Sequence, residues 1–130
     1  MNNIKLVREN LFESDKTNDE QLVIKFQLFE KDNLVSESGF NIEQPDEWFD
    51  EKYVTIHDLT TFKEFRRKGF AKRLLEQIFD YVKNTLEINI ITLIVYKDNF
   101  KAVNLYFDSG FKVFMEYDDS YSLIKNLIKK

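Results

Sequence analysis

Residues 66–73, RRKGFAKR, gather Arg66, Arg67, Lys68, Lys72 and Arg73 around Gly69, in a chain of 130 residues whose formal net charge is −4. Cations at that density suit an anion, and arginine can fork onto two phosphate oxygens. If the segment lies where a strand turns into a helix, two further attractions act. The first-turn amides of a helix point out of its N-terminal end, and the helix dipole adds about half a positive charge there. Gly69 has no Cβ, so its backbone can be approached closely and its dihedrals are unrestricted. A pyrophosphate would sit well in such a place. The alternative is a solvated helix start with no ligand. The ATP-type loop is excluded, because it needs two glycines separated by four residues and then Lys-Ser or Lys-Thr; GxGxxG does not match either.

Composition narrows the remaining chemistry. There is no cysteine, which excludes a disulfide framework, a thiol nucleophile and a thiolate metal site. With 43% apolar residues and thirteen phenylalanines, the chain can bury a core, and its length fits one domain spanning residues 1–130. Residues 1–58 carry fourteen acids and six bases, whereas residues 59–130 carry nine acids and thirteen bases. With a pI near 5.1 the chain lacks the broad basic face that nucleic acid needs. No segment approaches the roughly 20 apolar residues of a membrane span, and the N-terminus has no run resembling a signal peptide. The expectation is a soluble cytoplasmic protein without nucleic-acid or membrane partners.

The elements that must position the cluster are legible from periodicity. Residues 4–8 read as a first strand and 9–20 as a polar loop. Residues 21–30 and 34–42, separated by the turn KDN, read as a hairpin. Residues 43–51 hold the sole proline and five acids and read as a loop or a short helical turn. Residues 53–61, YVTIHDLTT, are β-branched and aromatic and read as a strand. Phe70, Leu74, Ile78 and Val82, flanked by Ala71, Leu75 and Phe79, form one apolar stripe of a helix over about 67–84. The nearly unbroken apolar run of residues 90–96 predicts a strand buried on both faces and parallel to its neighbour, joined to it by a right-handed crossover. Asp98 or Asn99 caps a second helix that Gly110 ends, and residues 111–117 and 120–127 form a last hairpin. The order β-ββ-β-α-β-α-ββ is an α+β fold with a mixed sheet.

On these elements lie two motifs. Residues 66–71, RRKGFA, fit the pattern R/Q-x-x-G-x-G/A between a strand and its helix. Residues 99–111, NFKAVNLYFDSGF, fit N-x-x-A-x-x-L-Y-x-x-x-G-F position by position. In both respects the chain resembles the GNAT-superfamily N-acetyltransferases, well over residues 53–127 and loosely over 1–52. The resemblance implies the acyl-CoA N-acyltransferase fold and acetyl-CoA as cosubstrate, lying where the strands 53–61 and 90–96 splay apart, with no metal. It implies that backbone groups of Leu59, Thr60 and Thr61 pair with the pantetheine arm and the thioester carbonyl, where an N–H would stabilise developing negative charge by a few kcal/mol. Arg66, Arg67, Lys68, Gly69, Phe70 and Ala71 would cradle the pyrophosphate. Asn99 and Ala102 would border the arm, Asn99 having helix capping as its structural alternative.

The resemblance also assigns catalytic candidates. Tyr106 would act as general acid toward the departing thiolate, since a phenol, with a reference pKa near 10, is protonated at neutral pH; otherwise it is a core tyrosine. Histone-type members carry a glutamate where this chain has Thr55. His57, two residues on, faces the same side of the strand, and histidine is the side-chain type whose reference range lies near neutrality, so it is the candidate base, acting through water; an exposed or structural role is its alternative. Asp58 faces the other way. The family's helix pair after the first strand does not fit into residues 9–20, which implies an open acceptor side for an amine on a small molecule, a peptide or a protein. The acidic stretch 43–51, with Trp48 and Phe49, reads as a collector of cationic amines or as a solvated face with one buried aromatic pair. The last strands are where a homodimer would form. Two functions stand: an N-acetyltransferase working by direct attack in a ternary complex, or a coenzyme-binding or interaction module that has lost transfer.

Overall fold

The computed structural model describes residues 2–12, 20–61 and 69–128. Seven strands and two helices follow in the order β1 (Asn2–Phe12), β2 (Glu20–Glu30), β3 (Asn33–Glu43), β4 (Tyr53–Thr61), α1 (Phe70–Asn84), β5 (Ile90–Tyr96), α2 (Phe100–Asp108), β6 (Lys112–Glu116) and β7 (Ser120–Asn126). The sheet order is β1-β2-β3-β4-β5-β7-β6. All neighbours pair antiparallel except β4 and β5, which are parallel. This is the α+β order that the sequence predicts. One boundary differs: β1 continues to Phe12, past the expected end at residue 8, and pairs to the end with β2, Phe12 opposite Glu20. The apolar alternation fades after Val7, but an antiparallel ladder is held by backbone groups and does not require it.

Helix α1 follows from its stripe. Phe70, Leu74, Leu75, Ile78 and Val82 are its buried residues, and each large side chain so buried contributes roughly 1.5–3 kcal/mol. They meet Ile24, Phe26 and Leu28 of β2, Phe40 of β3 and Val54 and Ile56 of β4 in one apolar core. Tyr81 sets its ring edge against Phe26, centroids 5.2 Å apart. Helix α2 joins the same core through Val103 and Tyr106. Phe111 binds the two helices together, its ring 5.8 Å from Phe79 of α1 and 5.7 Å from Tyr106 of α2. Both helices therefore cover one face of the sheet. On β5, Ile91, Leu93 and Val95 point into that core, whereas Ile94 and Tyr96, on the alternate positions, are each 68% exposed. Among the described residues no helix is long and apolar enough to cross a membrane.

Candidate active site

Strand β4 carries the feature that organises the site. Gly39 of β3 lies opposite His57, but Glu37 lies opposite Thr60: two steps on β3 face three on β4, so β4 holds a β-bulge. A bulge re-aims the side chains that follow it. Before it, Val54 and Ile56 enter the core under the helices, and Thr55 and His57 take the opposite face by alternation. After it, Leu59 packs against the core, and Thr61, whose hydroxyl lies 3.1 Å from that of Ser36, joins Leu59 on the helix side. Nothing in the sequence YVTIHDLTT marks the extra residue. The side chains of Asp58 and Thr60 lie outside the described residues.

The parallel ladder between β4 and β5 is only two pairs long, Val54 with Ile91 and Thr55 with Thr92. Its last pair is tied across the strands by the two threonine hydroxyls, 3.2 Å apart. From there to Thr61 and Tyr96 the strands part without pairing to each other, as the resemblance implies. The opening continues into a cavity of about 610 Å3 lined by Leu59 and Thr61 of β4, Gly69 and Ala71 at the start of α1, and Asn99 and Ala102 at the start of α2.

Gly69 caps α1 with φ 79° and ψ 9°, the left-handed region, where a side chain costs roughly 1–2 kcal/mol. A Cβ built there would meet nothing within 4 Å. The glycine is thus required by the turn itself, and the space beside it is open for a ligand to reach the backbone. Arg73 donates its amide to the Gly69 carbonyl at 3.1 Å, closing the first turn, and Lys72 borders the cavity. Arg66, Arg67 and Lys68 lie outside the described residues. Of the two candidate caps of α2, Asn99 is the one used: its Oδ1 accepts from the Ala102 amide at 3.3 Å. Gly110, with φ 99°, ends that helix in the left-handed region as expected.

Tyr106 is one residue beyond Leu105, which borders the cavity. Its ring lies in the core, 8% exposed, and burial pushes its phenol up to about 12. His57 Nε2 lies 2.6 Å from Asn41 Oδ1. Asn41 stands opposite Thr55 on β3, which puts the imidazole on the face away from the helices. The two catalytic candidates are therefore on opposite faces of the sheet. No group of three or more His, Cys, Asp or Glu able to hold a metal occurs among the described residues.

Across the sheet from the cavity is a second hollow, which the sequence only half revealed. It measures about 240 Å3 and is walled by Trp48, Phe49, Tyr53, Phe114 and Tyr117, with Thr55 and Thr92 also in its lining. The expected buried aromatic pair is not what forms. Trp48 is 53% exposed, because the Asp46 carboxylate accepts from the amides of Trp48 and Phe49 and from the Tyr53 hydroxyl, at 2.9, 3.2 and 2.6 Å, and so folds the loop back onto β4. These bonds hold Asp46 below the usual carboxylate range, chiefly through the tyrosine, and push Tyr53 up to about 12. Phe114 stacks on Phe49 at 5.4 Å and receives Trp48 edge-on at 6.1 Å. Phe114 and Tyr117 are more than sixty residues further along the chain, and no local pattern ties them to Trp48.

Known structures share this architecture. The Campylobacter jejuni N-acetyltransferase PseH superposes with a TM-score of 0.64 at 23% identity, covering 80% of this chain and 67% of that one. The PaiA N-acetyltransferase from Thermoplasma acidophilum, solved in complex with coenzyme A, gives 0.68 at 18% identity over 80% of this chain and 60% of its own. Arabidopsis thaliana NAA60 in complex with a bisubstrate analogue gives 0.68 at 18% identity over 80% and 75%. At such identities the likeness is one of fold. No curated protein matches the sequence. The sequence profile of the acetyltransferase (GNAT) family matches residues 3–111, across the parting strands, the glycine-led helix and the asparagine-capped helix, and the chain belongs to that family.

Proposed function

We propose that the protein transfers an acetyl group from acetyl-CoA to a primary amine by direct attack within a ternary complex. The observation that carries this reading is the two-pair ladder between β4 and β5, beyond which the strands open into the cavity that ends at Gly69. Two of the fold neighbours above, one solved with coenzyme A and one with a bisubstrate analogue, support the same assignment. The cavity's materials fit the donor: an edge of β4 that β5 leaves after Thr55 for an amide-bearing arm, a helix N-terminus with an open approach at Gly69, and Lys72 for the phosphates, joined by Arg66, Arg67 and Lys68 in sequence. Acetyl-CoA supplies an activated thioester.

This chain's residues then have three tasks. The backbone of Leu59, Thr60 and Thr61 orients the arm and holds the carbonyl. His57, on the face away from the helices, takes a proton from the incoming ammonium through water, since the attacking nitrogen must be neutral. Tyr106 donates its phenolic proton to the leaving sulfur, and its burial favours the protonated form needed for that role. In balance, the nitrogen bonds to the acyl carbon, the carbon–sulfur bond breaks, the thiol leaves with the Tyr106 proton, and the second proton shed by the nitrogen restores the phenol, while the first leaves His57 to solvent.

The burial of Tyr106 and the presence of Thr55 in place of a strand carboxylate favour a second reading, a module that binds the coenzyme without transfer. Thiol release from acetyl-CoA over a panel of amines and basic peptides separates the two. Turnover with any of them supports the transferase. Calorimetric binding of acetyl-CoA with no turnover across the panel supports the module, and no binding at all sinks both.

A further inference from the structure

We infer that the aromatic hollow on the bare face of the sheet holds a second, non-reacting ammonium group of the acceptor, so that the acceptor is a di- or polycationic amine. The inference rests on the transferase reading above and deepens it. Five rings from three separate parts of the chain converge there: Trp48 and Phe49 from the loop before β4, Tyr53 from β4, Phe114 from β6 and Tyr117 from the turn after it. Three of them stay substantially open to solvent, Trp48 at 53%, Phe114 at 37% and Tyr117 at 47%. Ring faces attract an ammonium through their quadrupole, most strongly when several share it and water is partly displaced.

Charge favours a cation over a neutral apolar guest. The loop at 43–51 carries Glu43, Asp46, Glu47, Asp50 and Glu51, and the β6–β7 turn carries Glu116, Asp118 and Asp119. Against them stand Lys52, Lys112 and Lys97, and Lys97 is engaged with Glu116 at 2.7 Å. The Asp46 carboxylate pins Trp48, Phe49 and Tyr53 in place through three hydrogen bonds, so the loop side of the wall is formed before any ligand arrives, which lowers the cost of binding.

Position decides which nitrogen is held. Thr55 and Thr92 line the hollow and are also the last pair before β4 and β5 part. A guest seated among the rings thus lies beside the mouth of the gap, and the rest of its chain can reach toward the donor cavity. An ammonium among π faces, with the acids of the adjoining loop and turn nearby in sequence, is stabilised in its charged form, which cannot attack a thioester. The group in the hollow is therefore the anchor, and a different nitrogen of the same molecule reacts. A linear aliphatic diamine and a lysine-bearing peptide with a free α-amine both have this chemistry.

Trp48 is the chain's only tryptophan, so its fluorescence reports the hollow directly. Titration with 1,4-diaminobutane or the peptide Gly-Lys-Gly should give a saturable change, and neutral 1,4-butanediol should not; whichever of the two amines saturates at lower concentration identifies the source. Phe114→Leu, which keeps apolar bulk and removes the ring, should weaken the response about tenfold and raise KM for the amine while leaving kcat and the calorimetric affinity for acetyl-CoA unchanged. An equal response to butanediol overturns the cationic guest. No saturable response in protein that binds acetyl-CoA overturns the hollow and leaves the transferase reading standing. A diamine response in protein that gives no heat with acetyl-CoA keeps the hollow and overturns the donor site.

Discussion

The two faces of the sheet are built on opposite terms. One is sealed by α1 and α2 over a continuous core and opens only where the strands part; the other, among the described residues, carries exposed aromatic and aliphatic side chains and an acid-flanked hollow. A single strand serves both. Up to His57, the alternation of β4 sends its odd positions to the bare face, and the bulge then turns Leu59 and Thr61 to the covered one. One extra residue thus lets successive stretches of the same strand face the aromatic hollow and the cavity on opposite sides.

If the division holds, Tyr106→Phe should have the largest effect, lowering kcat about a hundredfold or more with acetyl-CoA affinity unchanged by calorimetry; unchanged turnover would remove Tyr106 as the proton donor and leave a transferase that works without it. The next contrast is within β5. Leu93, 2% exposed, should cost roughly 2–5 kcal/mol on replacement by alanine in a denaturant melt, whereas Ile94→Ala on the other face should stay within about 0.5 kcal/mol. Equal costs would mean that the bare face is covered after all. Gly69→Ala should cost about 1–2 kcal/mol from its left-handed dihedrals and also weaken acetyl-CoA; loss of stability without loss of binding would separate the turn from the ligand.

The smallest effect is alkaline. Tyr106 in the core and Tyr53 bonded to Asp46 are both pushed up to about 12. Since their folded values lie above the unfolded value near 10, the stability they contribute is present below that pH and is lost as pH rises toward 12. Phenolate absorbance should show two late titrating groups, of which Tyr106→Phe removes one; ordinary titration of both would contradict the packing described for each.

Local signals carried most of the framework into the sequence. The four-residue spacing of Phe70, Leu74, Ile78 and Val82 is set by one helix, the run 90–96 by one buried strand, and Asn99 and Gly110 by the ends of another helix, so each could be read without knowing its neighbours. Two borders of the cavity were legible for the same reason, because Gly69 and Asn99 both open helices. The bulge was not, since it is a property of how β4 pairs with β3 and not of β4 alone. The aromatic hollow was half legible: Trp48 and Phe49 stood out beside the acids, but Phe114 and Tyr117 join them only through the sheet order that places β6 and its turn on that side.

The brevity of the β4–β5 ladder has a mechanical meaning. With two residue pairs as a rivet, the four-stranded and three-stranded blades of the sheet share one core beneath α1, and Phe79 of that helix packs on Phe111 just ahead of β6. The width of the gap beyond that rivet thus answers to the girth of side chains outside it, and can be changed without rewriting a single backbone bond.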